Sequence, residues 1–135
     1  MNRATKWFYF AQKHRVLGNF VVKLMRLVFS CDIPLNVKIG KDCSFEHNAL
    51  GVVISRMSSV GDRCKIYQGV TIGAGKDGYP TIGSDVVIYP NVTIIGGIHI
   101  GNNCVIGANS FVNTDIPENS VVAGVPAKKI KDVNQ

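Results

Sequence analysis

The first thirty residues contain no acidic side chain. Arg3, Lys6, Lys13, Arg15, Lys23 and Arg26 stand there unopposed, whereas residues 31–135 balance nine bases with nine acids. The formal charge of +6 on this 135-residue chain is therefore local to one end, which speaks against a nucleic-acid surface spread over the whole domain. Long apolar runs are missing too. The segment from Val16 to Cys31 is broken by Lys23 and Arg26, short of the ~18 clean residues of a membrane span and unlike a signal-peptide core. The four cysteines, at 31, 43, 64 and 104, have neither C-x-x-C spacing nor the density of a secreted disulfide scaffold. These absences predict one cytoplasmic domain with no metal and no nucleic-acid partner. A hydrophobic content of 46% with 18% charge excludes a disordered chain.

What is present is a period of six. Ile33, Ile39 and Phe45 are followed by Ile54, Val60, Ile66 and Ile72, and then by Ile82, Ile88, Ile94, Ile100, Ile106 and Val112. Two insertions interrupt the lattice, between Phe45 and Ile54 and between Ile72 and Ile82. Neither a helix of period 3.6 nor a plain strand of period 2 sustains such a repeat. Short parallel strands joined by tight turns do, with the large residue pointing inward. Two positions earlier in each repeat the residue is again small or apolar, and all four cysteines fall there. They read as small buried hydrophobes on a corner, with a catalytic thiol or metal site as the alternative. His99 precedes Ile100, so alternation points it outward. His14 falls in the basic segment and reads as a surface or interface residue.

From Thr5 to Phe29, apolar residues recur at spacings of three and four, which predicts an amphipathic helix, or two helices broken near Gly18. Two roles suit that segment, and both can hold together. It caps the open first coil, or its Trp7–Phe10 aromatic cluster beside Lys and Arg meets an anionic membrane. The expected organisation is a helical cap over 1–30, a repeat domain over 31–114, and a C-terminal loop and tail over 115–135.

The [Ile/Val]-Gly-x-x-x-x pattern resembles the hexapeptide-repeat proteins. That resemblance implies an all-β solenoid: a left-handed parallel β-helix of about four coils, assembled as a homotrimer. Further motifs resemble the serine acetyltransferase-like group of acyl-CoA-dependent O-acetyltransferases: Asp32-Ile33-Pro34, His47 ahead of Gly51-Val52-Val53-Ile54, Gln68-Gly69-Val70-Thr71-Ile72-Gly73, and Val122-Ala123-Gly124-Val125-Pro126-Ala127-Lys128. The resemblance runs from Asp32 to about Ile130. It implies that His47 is the general base and Asp32 its orienting partner, chemistry that suits a histidine titrating near neutrality. It also implies acetyl-CoA as cosubstrate, direct transfer, and active sites between subunits. Gly73 and Ala74 would contact the oxyanion or pantetheine, with a plain turn as the alternative. Pro90, Ala108, Asn113 and Thr114 would line the coenzyme A groove, with Lys128 or Lys129 near its phosphates. Glu46, Gln68 and Tyr79 would face the acceptor.

The chain departs from that group in three places. Glu46 stands where the relatives carry Asp, the loop before Pro80 is four residues shorter and reads Gly78-Tyr79 in place of an Arg-His pair, and the helical N-terminal part is about thirty residues. The expected acceptor is accordingly a hydroxyl of a sugar or glycan precursor, of the kind O-acetylated in capsule, lipopolysaccharide or exopolysaccharide, with L-serine as the alternative. For such an enzyme the location would be the cytoplasm, peripheral to the inner face of the plasma membrane. From another class, a non-catalytic β-helix scaffold remains an alternative. A zinc enzyme on the same fold requires three ligating histidines, two of them close in sequence, and His14, His47 and His99 are scattered.

Overall fold

The computed structural model describes residues 1–134. Two helices come first, α1 (Arg3–Lys13) and α2 (Arg15–Phe29). The first coil holds β1 (Lys38–Ile39), β2 (Ser44–Phe45) and β3 (Val53–Ile54). The second holds β4 (Ser59–Val60), β5 (Lys65–Ile66) and β6 (Thr71–Gly73). The third holds β7 (Thr81–Ile82), β8 (Val87–Ile88) and β9 (Thr93–Ile95), and the fourth β10 (His99–Ile100), β11 (Val105–Ile106) and β12 (Phe111–Val112). The chain ends in β13 (Ser120–Gly124) and β14 (Ala127–Asp132).

Every third strand stacks in parallel, which makes three faces. The first runs β1-β4-β7-β10, the second β2-β5-β8-β11-β13-β14, and the third β3-β6-β9-β12. Register is uniform, so that Ile66 pairs with Ile88 and Ile72 with Ile94. The lattice residues thus form columns down the axis, nearly all buried. This is a parallel β-helix of about four coils.

The corners explain how so short a repeat closes. Three positions before the lattice residue, every corner entering the second or third face takes positive φ: Asp42, Gly51, Arg63, Gly69, Asp85, Asn91, Asn103, Asn109 and Asn119. Gly, Asn and Asp tolerate that left-handed region. Arg63 is the exception, and its guanidinium is tied to Asp85 by two hydrogen bonds of 2.7 and 2.9 Å. That pairing holds the Asp85 carboxyl below its ordinary range.

Two expectations are corrected. The helical break falls at His14 and not near Gly18. Gly18 is buried inside α2, where a Cβ would stand 2.4 Å from the Ala11 carbonyl oxygen, so it serves close packing of the two helices. Likewise 115–135 is no loop and tail over its described residues. Val122 continues the lattice against Ile106, and β14 folds back antiparallel on β13. The hairpin thereby covers the last strand edge.

At the other end α1 lies across the open first coil. Phe45 N–H donates to Thr5 Oγ1 (2.9 Å) and Cys43 N–H to Tyr9 Oη (2.9 Å). Tyr9 Oη in turn donates to the Gly40 carbonyl (2.6 Å), and Gln12 Nε2 to that of Val37 (3.0 Å). Positions 5, 9 and 12 share one helix face, so backbone groups that have no next coil are paired by side chains. Between them Phe8 meets Phe45 edge-on at 5.8 Å.

All four cysteines are buried and unpaired, in the register expected of small core residues. Burial pushes the Cys31 thiol up to about 11. Cys43 is drawn down to about 7, chiefly by its hydrogen bond with the Cys64 side chain, and Cys64 moves up through the same contact. Burial outweighs the Cys43 shift, because a reagent must reach the sulfur. Native protein should therefore release no colour from an aromatic disulfide reagent over minutes, and denatured protein should show four thiols. Prompt reaction of a native thiol would contradict this packing.

Candidate active site

The first interruption of the lattice is a single left-handed turn, Glu46–Ala49, between β2 and β3. His47, Asn48 and Ala49 have φ of 51°, 55° and 58°. Three consecutive non-glycine residues in this region are strained, by ~1–3 kcal/mol each. The surroundings hold them there. Ala49 is buried, its carbonyl accepts from Val52 N–H at 2.9 Å, and Asn48 Oδ1 accepts from Ala4 N–H at 3.3 Å. Asn2 Nδ2 donates to the Phe45 carbonyl. The N-terminus of α1 thus clamps the turn that carries His47.

His47 itself is exposed, with its ring 6.4 Å from that of Tyr67, which stands 5.1 Å from Tyr89. Neither tyrosine was singled out by sequence reasoning, because the corner column that places them beside the His47 turn exists only after the coils stack. Glu46 accepts a 2.6 Å hydrogen bond from Ser44 Oγ.

Asp32 follows α2 and joins the ladder of β3: its N–H donates to Val52 O (2.8 Å) and its carbonyl accepts from Ile54 N–H (2.9 Å). The backbone of Asp32 and the His47 turn therefore flank the same strand. Their side chains make no hydrogen bond or ion pair with each other among the described residues. The Asp32 carboxylate instead faces Arg26 at 3.9 Å, a long, exposed contact of small energetic weight. It also lines a cleft of about 490 Å³ with Arg15, Lys23, Asn36 and Arg56. Arg15 and Lys23 come from α2 and Arg56 from the turn after β3, so their convergence on Asp32 has no signature in the sequence.

The remaining expected residues scatter around the prism. Gly73 sits in the parallel ladder opposite Ile95, and the Ala74 N–H is already bonded to Ser55 Oγ at 3.1 Å. The second interruption is tied off by Gly75 N–H to Gly78 O (2.8 Å) and fastened by Asp77 Oδ1 accepting from Gly97 N–H (3.0 Å). Tyr79 is exposed at its end. Pro90 and Ala108 stack at the corner entering the third face, where Asn109 N–H donates to Pro90 O (3.0 Å). Asn113 and Thr114 lie exposed beyond the opposite side of that face. Lys128 and Lys129 are exposed on β14, and Lys129 Nζ is paired to Asp132 at 2.5 Å. One chain therefore does not gather these groups into one pocket. Gln68 Oε1 is buried with no hydrogen-bond partner among the described residues. Among the described residues, no three His, Cys, Asp or Glu side chains are grouped to hold a metal ion.

This stacked coil, with a histidine at an interruption of its lattice, has known counterparts. A model described as "Bacterial transferase hexapeptide (six repeats)" matches residues 79–114. The chain belongs to the hexapeptide-repeat transferase family, and its coil is the left-handed parallel β-helix of that family. Within the family it is similar to serine acetyltransferases. It is 36% identical over 133 residues to the Synechococcus elongatus serine acetyltransferase, an alignment covering 96% of this chain and 54% of that one. The crystal structure of Neisseria gonorrhoeae serine acetyltransferase superposes with a TM-score of 0.84 at 33% identity, covering 96% of this chain and 52% of that one. The Brucella abortus serine acetyltransferase in complex with coenzyme A gives 0.84 at 30%, covering 96% and 55%. The chain thus spans about half the length of the relatives it matches.

Proposed function

We propose that this chain is an acetyl-CoA-dependent O-acetyltransferase whose acceptor is the hydroxyl of L-serine. The observation that carries this reading is His47, held exposed on a strained, clamped turn in a chain similar to serine acetyltransferases over 96% of its length. Strain preserved by so many partners suits a site where geometry serves chemistry. Acetyl-CoA supplies the acetyl group as a thioester. His47 takes the acceptor hydroxyl proton as the oxygen attacks the thioester carbon, and returns it to the leaving sulfur. Asp32, released from its weak contact with Arg26, holds the other ring nitrogen and steadies the imidazolium.

The groups assigned to coenzyme A fit a polyanion passing an exposed edge. Pro90 and Ala108 present little bulk and Lys128 makes no ion pair among the described residues; on the acceptor side, Gln68 Oε1 is open to a donor N–H or O–H. Because Pro90 and Ala108 stand at the corner entering the third face and Asn113 and Thr114 beyond its opposite side, the reading includes a trimer in which neighbouring copies complete each site. The cations of the Asp32 cleft offer the serine carboxylate the partners that the shortened loop lacks.

A sugar hydroxyl is the second reading, favoured by the Tyr67–Tyr89 pair beside His47. Two apolar ring faces with polar tips suit a flat, hydroxylated ring. Turnover of acetyl-CoA with L-serine and with free and nucleotide-linked sugars separates the two. On the serine reading, Arg56→Ala raises the KM for serine ~tenfold with kcat little changed, the loss of one charge-assisted contact. Turnover with sugars alone, abolished by Tyr67→Ala, replaces serine with a sugar.

A further inference from the structure

We infer that the exposed face of the N-terminal helical pair docks on an anionic lipid surface. Along α2, Val16, Phe20, Leu24 and Leu27 recur at helical spacing on one side. Val16 is 96% exposed, Leu27 81% and Phe20 65%, so most of this stripe is left uncovered by the described residues. It runs into an apolar cavity of about 500 Å³ between the helices, lined by Trp7, Phe10, Val21 and Leu24, with Lys6 at its side. A contiguous apolar surface of this kind marks an interaction site, whereas single exposed leucines do not.

The charge identifies the partner. Six bases and no acid occupy residues 1–30, and Lys6, Phe10 and Lys13 share one side of α1. Two copies meeting through this face would set Lys6 and Lys13 of each against the same bases of the other with no acid of residues 1–30 to offset them, which disfavours a homodimer. An anionic headgroup layer reverses the sign: bases settle among the headgroups while the apolar stripe enters the acyl boundary. At 15 residues, α2 is roughly 22 Å long, and no helix among the described residues is long and apolar enough to cross a membrane. The geometry is that of a helix lying in the interface plane.

The inference is independent of the acetyltransferase reading. It is tested with the full chain and phosphatidylcholine vesicles prepared with and without phosphatidylglycerol. The protein should sediment with the anionic vesicles at low salt and be released largely at ~1 M salt, where the Debye length is ~3 Å. Phe20→Ser/Leu27→Ser and Lys6→Glu/Lys13→Glu should each weaken binding by ~tenfold or more. These side chains are exposed or at the cavity rim, so unchanged far-ultraviolet dichroism and melting temperature show that the fold is kept. Absence of binding to anionic vesicles overturns the inference, as does equal binding to pure phosphatidylcholine. Self-association abolished by Phe20→Ser/Leu27→Ser, with no vesicle binding, assigns the face to a second copy instead.

Discussion

His47→Ala should lower kcat/KM for acetyl transfer by ~10²–10⁴-fold, the usual weight of a positioned general base, while leaving the melting temperature almost unchanged. The stability half follows from the local structure. The side chain is exposed, and the left-handed turn is held by Asn48, Ala49 and the start of α1, not by the imidazole. His47→Asn is the companion variant, because asparagine tolerates positive φ but lacks the base. It should match His47→Ala in activity and equal or exceed the wild type in stability. Steady-state release of coenzyme A, read beside thermal melting, checks both halves. Wild-type turnover in either variant removes His47 from the mechanism. Asp32→Asn reports separately on the carboxylate. A loss confined to kcat places it behind the imidazole, and unchanged kinetics leave it as the partner of Arg26 seen here.

The fold was legible because the signal is one-dimensional. From Ile39 to Val112 each lattice residue lies in a short strand, and the order of stacking follows from counting three repeats to a coil. What lay outside the count was harder to read. Gly18 looks like a helix breaker in isolation, and only the approach of Ala11 makes it a packing residue. Ile116 bridges Ile100 only four residues after Val112, so the period slips by two there before Val122 resumes it on the second face. The site was half legible. His47 announces itself by sitting in a lattice interruption, and Asp32 by its distance of fifteen residues. Tyr67, Tyr89 and Arg56 carry no local signature. Their proximity to His47 or Asp32 is a product of stacking, which brings together residues one coil or more apart. The acceptor follows the same division. The shortened loop points away from serine, whereas the proposal of serine rests on the similarity to serine acetyltransferases and on the cations around Asp32.

The largest stability effect should come from Phe45→Ala, at the residue that joins the lattice, the cap and the His47 turn. Phe45 is fully buried, stacks edge-on against Phe8 of α1, and immediately precedes Glu46. Truncating a buried phenylalanine costs about 3–5 kcal/mol through lost transfer energy and the cavity left behind. For a chain of this size that lowers the melting temperature by ~10 °C or more. The position adds a second effect. Phe45 N–H is bonded to Thr5 Oγ1 and its carbonyl to Asn2, so loosening the ring loosens the contacts by which α1 grips the His47 turn. Amide exchange should accelerate in α1 and at residues 43–49 while the protection of β8 and β11 survives, because a solenoid passes strain mainly to its nearest neighbours. Activity should fall with that local opening even below the melting transition, unlike in His47→Ala, where chemistry is lost and the cap stays closed. Uniform loss of protection along all four coils would instead mean that the cap and the coil unfold as one cooperative unit.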